Sequence, residues 1–366
     1  MMITIVGAGL GGLTLAKVLE RHGVEAAVYD LDVSPHARHQ GGMLDMHKES
    51  GQMALRAAGL FESFERHVLE GGDATRVLDK QATVLLDRAG NGERPEIERG
   101  VLRDLLLHSL PEGIVRWGSR VVGVRPVDGG HELTFEDGRR EVTELLVGAD
   151  GAWSRVRPLL SADQPGYLGL SFVEIRIPDA VARYPHLAEV CGNGMLFALD
   201  DERGILAHRE PGDEICAYVA LKKPADWATG EISRDELAGY FADWHPDLRA
   251  IVAESEGALV PRPIYALPVG HRWARKPGVT LIGDAAHLMS PFAGEGANLA
   301  MQDGAELAQA IIEHPGDVEA ALGIYEAAMF PRARAAAADS TANLVELFKP
   351  NGARRLADLF QSFAAG

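Results

Sequence analysis

The chain has 366 residues, 46% hydrophobic and 24% charged, a balance that suits a globular protein of about two domains whose core needs no staples. Its formal net charge of −17 argues against a nucleic-acid surface, which needs a basic stripe. Two cysteines, Cys191 and Cys216, make no disulfide framework, no apolar run is long enough to span a bilayer, and the start "MMITIVGAGLGG" reads as a first strand, so a cytoplasmic protein away from membranes is expected.

Residues 2–6 are a short apolar run ending at glycine, the pattern of a buried strand. Leu13, Ala16 and Leu19 then follow helical spacing, and Gly23 is a favourable helix stop. "VEAAVYD", residues 24–30, is the next strand. Within this strand–helix–strand unit, "GAGLGG" places Gly7, Gly9 and Gly12 in the spacing G-x-G-x-x-G. Gly7 allows a tight turn, Gly9 lets the backbone approach a pyrophosphate, and Gly12 lets helix and strand pack closely. The helix start offers free N–H groups to phosphate, and Asp30 ends the second strand where an acid can bind a ribose hydroxyl.

A turn and helix are expected over 44–59, a hairpin over 71–87, a helix over 101–110 and a second hairpin from 121–127 and 132–136. The apolar segment 144–151 ends in Asp150-Gly151. Short strands at 168–177, 195–199, 204–208 and 214–221 suggest an antiparallel sheet. Residues 235–244 and 248–254 look helical, and 261–268 reads as an extended link. Strand-then-helix spacing returns at 279–284 and 297–312, followed by helix over 318–347 with Pro331 expected to break or kink it, and a last helix over 353–364.

Asp150 and Asp284 both follow apolar strands, where a ligand beyond the carboxyl ends of a parallel sheet would meet them. NAD has no use for an extra acid so late in the chain. FAD does, because its ribityl hydroxyls need acceptors along their length. "PFAGEGAN" adds Pro291, Gly294, Gly296 and Asn298 ahead of a helix, whose start can stabilise the anion of reduced flavin at its pyrimidine edge. No metal motif and no protein nucleophile stand out, so no catalytic side chain is assigned and the chemistry is left to the flavin.

G-x-G-x-x-G near the N-terminus, "GADGAWSRVR" and "GDAAHLMSP" together resemble the class A flavoprotein aromatic hydroxylases of the para-hydroxybenzoate hydroxylase-like fold, in order and over nearly the whole chain. Within them, "GGMLDMHKESGQMALRAAGL", "EIERGVLRDLLLHSL" and "GDAAHLMSPFAGEGAN" look most like the tetracycline-inactivating monooxygenases. The resemblance implies an α/β fold: a Rossmann-like FAD-binding domain with an inserted, mostly antiparallel β substrate domain and C-terminal helices. It implies that Asp45, Arg103 and Asp284 contact FAD, that Arg38 helps NADPH approach as a transient reductant, and that a C4a-hydroperoxide of the flavin hydroxylates a planar phenolic or polycyclic molecule with O2. Glu295 stands where a Gln is common in the family and either caps the helix or tunes the flavin, capping being the favoured reading.

The expected domain map is FAD-binding at 1–70, 93–166 and 263–317, substrate-binding at 71–92 and 167–262, and C-terminal helices at 318–366. Substrate contacts are expected from Glu174, Phe197, Arg209, Tyr218 and Phe292, the last with core packing as its alternative, while Met329, Leu347 and Phe348 either shape an entrance or, as a helix stripe more often does, pack in the core. Polar residues that would grip a tetracycline have no evident counterpart in the β region. A halogenase of the same fold would carry W-x-W-x-I-P, which the sequence lacks; a reductase or a non-catalytic flavin-binding protein are the other readings. A monomer is expected.

Overall fold

The computed structural model describes residues 2–227, 230 and 232–364. The chain forms two compact units. The first is Met1–His67, Arg99–Gly166 and Ala266–Thr341; the second is Val68–Glu98, Tyr167–Tyr265 and Ala342–Gly366. The segment 318–366, expected as one block of helices, divides between them.

Five parallel strands centre the first unit, in the order Val279–Leu281, Leu145–Gly148, Ile3–Val6, Ala26–Tyr29 and Val115–Arg116. The central three strands are almost wholly buried, which is why they read as continuous apolar runs and not as alternation. In register, Val6 lies between Tyr29 and Gly148, so Gly7, Asp30 and Asp150 all follow strand ends at one end of the sheet, and Asp284 follows the edge strand Val279–Leu281. The short strand Val115–Arg116 carries too little apolar pattern to be visible in the sequence. The helices Leu10–Arg21 and Gly296–Glu313 pack backbone to backbone: a Cβ at Gly304 would stand 2.4 Å from the Gly11 carbonyl oxygen, and one at Gly11 2.7 Å from that of Ala300. The hairpin expected at 121–136 gains a third antiparallel strand, Arg140–Thr143.

The second unit is built on seven strands, in the order Glu256–Ala266, Gly166–Ile177, Glu214–Lys222, Arg203–Glu210, Met195–Asp200, Thr75–Leu78 and Val84–Arg88. Pairing is antiparallel along most of this sheet, but Met195–Asp200 runs parallel to Thr75–Leu78. Alternation gives the sheet two characters. Val173, Ile175, Ile205, Ala207, Ala217 and Val219 face a core that also contains Phe241, Leu248 and Ile251 from the helical segments.

Residues 261–268, expected as a link, lie mostly in the strand Glu256–Ala266, because an edge strand tolerates Pro261 and Pro263. The helix Val318–Leu347 continues through Pro331. A proline inside a helix costs roughly 3 kcal/mol, but Tyr325, Met329, Ala333 and Ala337 on either side are buried and hold both halves. Met329, Leu347 and Phe348 are 1%, 4% and 1% exposed, so they are core and not an entrance. Among the described residues, no helix is long and apolar enough to cross a membrane.

Candidate functional site

The three glycines of the first turn have three different surroundings. Gly7 has φ +110°, and a Cβ there would lie 2.2 Å from the Ala149 carbonyl oxygen. At Gly12 a Cβ would lie 2.1 Å from the Gly7 carbonyl oxygen. At Gly9 it would meet nothing within 4 Å. Gly7 and Gly12 are therefore fixed by packing, while Gly9 faces open space that a ligand can approach. Gly9 is the N-cap of the first helix, with no side-chain cap and no acid in the first turn, so the leading N–H groups keep their donor capacity and positive dipole end.

Arg103 reaches this turn from the helix Arg99–His108 and is 2% exposed. Its Nε donates to the Ala8 carbonyl at 3.1 Å and its Nη1 to the Pro35 carbonyl at 2.5 Å, while Nη2 is buried without a hydrogen-bond partner. Burial lowers its pKa, and the charges of Asp30 and Asp32 oppose that. Asp30 accepts from the Ala8 N–H at 2.6 Å and the Asp32 N–H at 2.8 Å, so its carboxylate first braces the glycine turn and keeps one lone pair per oxygen for a ribose. Arg38 is mostly exposed and pairs with Asp32 at 3.1 Å. Asp150, expected among the ligand-facing acids, caps its own following turn: the Ser154 hydroxyl and the Arg155 N–H each donate to it at 2.6 Å, and burial raises its pKa.

Asp284 is exposed at the start of the short helix Asp284–His287. Its loop is fixed from behind by Asp303, which is fully buried. Asp303 accepts from the Gly283 N–H at 2.9 Å and from Arg332 at 3.0 Å, and pairs with His287 at 2.6 Å. Burial alone would lower the His287 pKa and raise that of Asp303; their mutual charge reverses both, leaving an ion pair. The reading of the sequence missed Asp303. Its signal was a lone acid on the apolar face of a helix, between Met301 and Ala305.

Pro291 and Phe292 form a single 3-10 turn with Ala293, and Phe292 is half-buried. Gly294 follows with φ +68°, and the helix Gly296–Glu313 then opens with no side-chain cap and no acid in its first turn. Glu295 is the N-cap residue, but its side chain does not cap. It lies 3.2 Å from His47 Nδ1, while His47 Nε2 lies 2.8 Å from Asp45. Burial works to lower the His47 pKa, yet hydrogen bonds and charge from the two carboxylates raise it to about 9, so the ring is an imidazolium at neutral pH. Asn298 adds a neutral clamp: its Oδ1 accepts from the His47 N–H at 2.9 Å, and its Nδ2 donates to the Asp45 carbonyl at 2.8 Å and the Gly294 carbonyl at 3.3 Å. Asn298, expected at the cofactor, thus ties segment 45–47 to the helix start. His47 was not singled out in the sequence; the Asp-x-His spacing of a strand, which puts both side chains on one side, was its signal.

A free donor on Arg103, open space at Gly9 and two uncapped helix starts make an anion-binding end of a parallel sheet, and they fit the pyrophosphate and ring of a flavin dinucleotide. The family model described as "FAD binding domain" matches residues 1–340. The chain belongs to that family, the class A flavin monooxygenases. Monooxygenase penA of Penicillium thymicola is 30% identical, with 98% of each chain covered. The fold is that of Klebsiella pneumoniae HpxO complexed with FAD and uric acid, at TM-score 0.79 and 22% identity, over 93% of this chain and 87% of that one. The tetracycline destructase Tet(51) has TM-score 0.69 and 18% identity, over 95% and 90%. The protein is an FAD-dependent monooxygenase.

In the second unit of the monooxygenase, the sheet face opposite the apolar core carries three of the expected substrate residues on one rung: Glu174 pairs with Tyr218, Tyr218 with Leu206 and Leu206 with Phe197. Phe172 packs on Tyr218 with ring centroids 5.5 Å apart, and Phe197 meets Phe360 of the helix Gly352–Ala364 at 6.0 Å. Glu174 is buried and accepts from Arg262 at 2.7 Å and Arg176 at 3.2 Å. Burial raises its pKa, but the two guanidinium groups outweigh burial and hold it below the usual carboxylate range. Burial pushes the Tyr218 phenol far up, so it is a neutral donor. One rung away, His208 pairs with Glu96 at 2.6 Å; burial opposes its charge and Glu96 prevails. Arg209 does not join this face. It shares strand parity with Ile205 and Ala207, lies opposite Ile215, and bonds Asn193 at 3.2 Å and Asp213 at 3.3 Å. Alternation therefore puts Arg209, expected with Glu174, Phe197 and Tyr218, on the opposite face of the sheet from them.

Proposed function

We propose that this monooxygenase uses NAD(P)H and O2 to hydroxylate a planar phenolic or polycyclic small molecule, tetracycline-like compounds included, and that it works as a cytoplasmic monomer. The observation that carries the substrate reading is the rung Glu174, Tyr218 and Phe197, where an ionised carboxylate and a neutral phenol stand among aromatic rings. Such a face suits a flat ring system with polar substituents.

The first unit is the FAD-binding domain in this reading, and the second binds substrate. The turn at Gly7, Gly9 and Gly12 takes the pyrophosphate, Arg103 Nη2 supplies a charged donor to it, and Asp30 takes the ribose. Asp284 holds ribityl hydroxyls, Asp45 lies toward the ring, and the N–H groups from Gly296 stabilise negative charge on its pyrimidine edge. Asp150 and Asn298 contribute by holding their loops. Exposed Arg38 meets the phosphate of a transient NADPH. When bound, FAD supplies the redox chemistry that activates O2. Glu174 and Tyr218 orient the substrate, and Phe172 and Phe197 keep water away from it.

The test is to purify the protein with its flavin and follow NADPH oxidation over a panel of phenolic polycycles, with tetracycline among them. Stimulated oxidation with coupled O2 use and a product heavier by one oxygen atom supports the proposal. Bound flavin with no stimulation by any member overturns the substrate reading. Sedimentation at working concentration tests the monomer.

A further inference from the structure

The group at the start of the helix Gly296–Glu313 is more heavily charged than positioning a loop requires. Asp45 and Glu295 place two carboxylates against one imidazolium, His47, which is only 5% exposed. The three lie against the turn before the helix: a Cβ on Gly294 would stand 3.6 Å from Asp45 Oδ2 and 3.7 Å from His47 Nε2. The mechanical link between the two segments is already made by the neutral Asn298, through two hydrogen bonds.

Charge at this point matters because of what the helix start faces. Its unpaired N–H groups and dipole favour negative charge. An uncompensated carboxylate at the N-cap, as Glu295 would be alone, opposes an anion on the same ligand. A cation beside it restores the preference.

We propose that His47 sets the reduction potential of the bound flavin: its positive charge offsets Glu295, so the helix start keeps its preference for reduced, anionic FAD over oxidised FAD. His47 is a tuning residue that acts through the helix start and not a catalytic residue. The inference rests on FAD binding and is independent of which substrate is hydroxylated.

Three variants of the FAD-loaded protein test it by potentiometric titration against reference dyes. Glu295→Gln removes a negative charge and leaves His47 paired with Asp45, so the two-electron potential rises. His47→Gln removes the positive charge, so the potential falls. Each shift is expected to correspond to about a tenfold change in relative affinity for reduced over oxidised FAD, about 30 mV for a two-electron couple. The double variant restores the original local charge and returns near the starting potential, although both ion pairs are gone. A purely mechanical staple would instead leave the double variant furthest from the parent. Single shifts of the same sign, no shift in either, or a double variant beyond both singles would overturn the proposal. If His47→Gln does not retain FAD, the sign for Glu295→Gln decides: a rise supports the inference, and a fall or no change overturns it.

Discussion

The glycine-turn end of the first unit and the polar sheet face of the second are built by different means. The first presents backbone: the open Gly9, two uncapped helix starts and a guanidinium held by backbone carbonyls. The second presents side chains whose direction is set by strand parity and whose charge is set by neighbours, as Glu174 is by Arg262 and Arg176. A backbone site needs particular residues at fixed spacing, because only glycine permits the approach. A side-chain site needs only that several residues share a face, and many sequences satisfy that.

The comparison is broken most severely at the glycines. Gly12→Ala is expected to abolish soluble, flavin-loaded protein, since its Cβ would meet a carbonyl oxygen at 2.1 Å. Gly9→Ala has room within the protein, so its melting temperature without FAD should stay at the parent value while FAD affinity falls about 10–100-fold, the loss of charge-assisted hydrogen bonds. Thermal melts and flavin-fluorescence titration separate the two. If Gly9→Ala binds FAD normally, the open space at Gly9 does not serve the cofactor.

Arg103→Ala should weaken FAD by about tenfold or more through loss of its free donor. A normal affinity would show that Nη2 does not meet the pyrophosphate.

Stability against pH probes the charged group at the start of the helix Gly296–Glu313. The His47 pKa is raised from 6.5 to about 9 by its partners once burial has been overcome. Its stabilising share is therefore complete below about 6.5 and is lost as pH rises through about 9, amounting to about 3 kcal/mol. Urea unfolding at several pH values should show this decline in the parent and flatten it in His47→Gln. An unchanged slope in the variant would place the titration elsewhere.

The smallest effects belong to the second unit. Glu174→Gln should leave FAD affinity unchanged and raise the substrate KM about tenfold. Arg209→Ala, on the opposite face, should change neither measurably. A larger KM effect at Arg209 than at Glu174 would mean that strand parity does not select the substrate face.

The sequence alone determined the cofactor end of the protein. Gly7, Gly9 and Gly12 at fixed spacing after an apolar run, with acids at later strand ends, describe a dinucleotide site because the backbone geometry admits few alternatives. Apolar runs marked the buried parallel strands, and short strands separated by turn residues marked the antiparallel sheet, because parallel strands need long crossovers while antiparallel neighbours join through tight turns. Tertiary structure decided what each acid does. Asp284 stands open while Asp150 turns inward to cap a loop, although both follow strands. Glu295 bonds a histidine nearly 250 residues earlier instead of capping its helix. Asp303 holds the Asp284 loop from the following helix, through Gly283 and His287, and Arg209 lies on the face its neighbour His208 does not. Some partners are distant in sequence, as His47 is from Glu295, and some are close, as Ser154 is to Asp150, so local residue pattern could name the group while only packing could choose its partner.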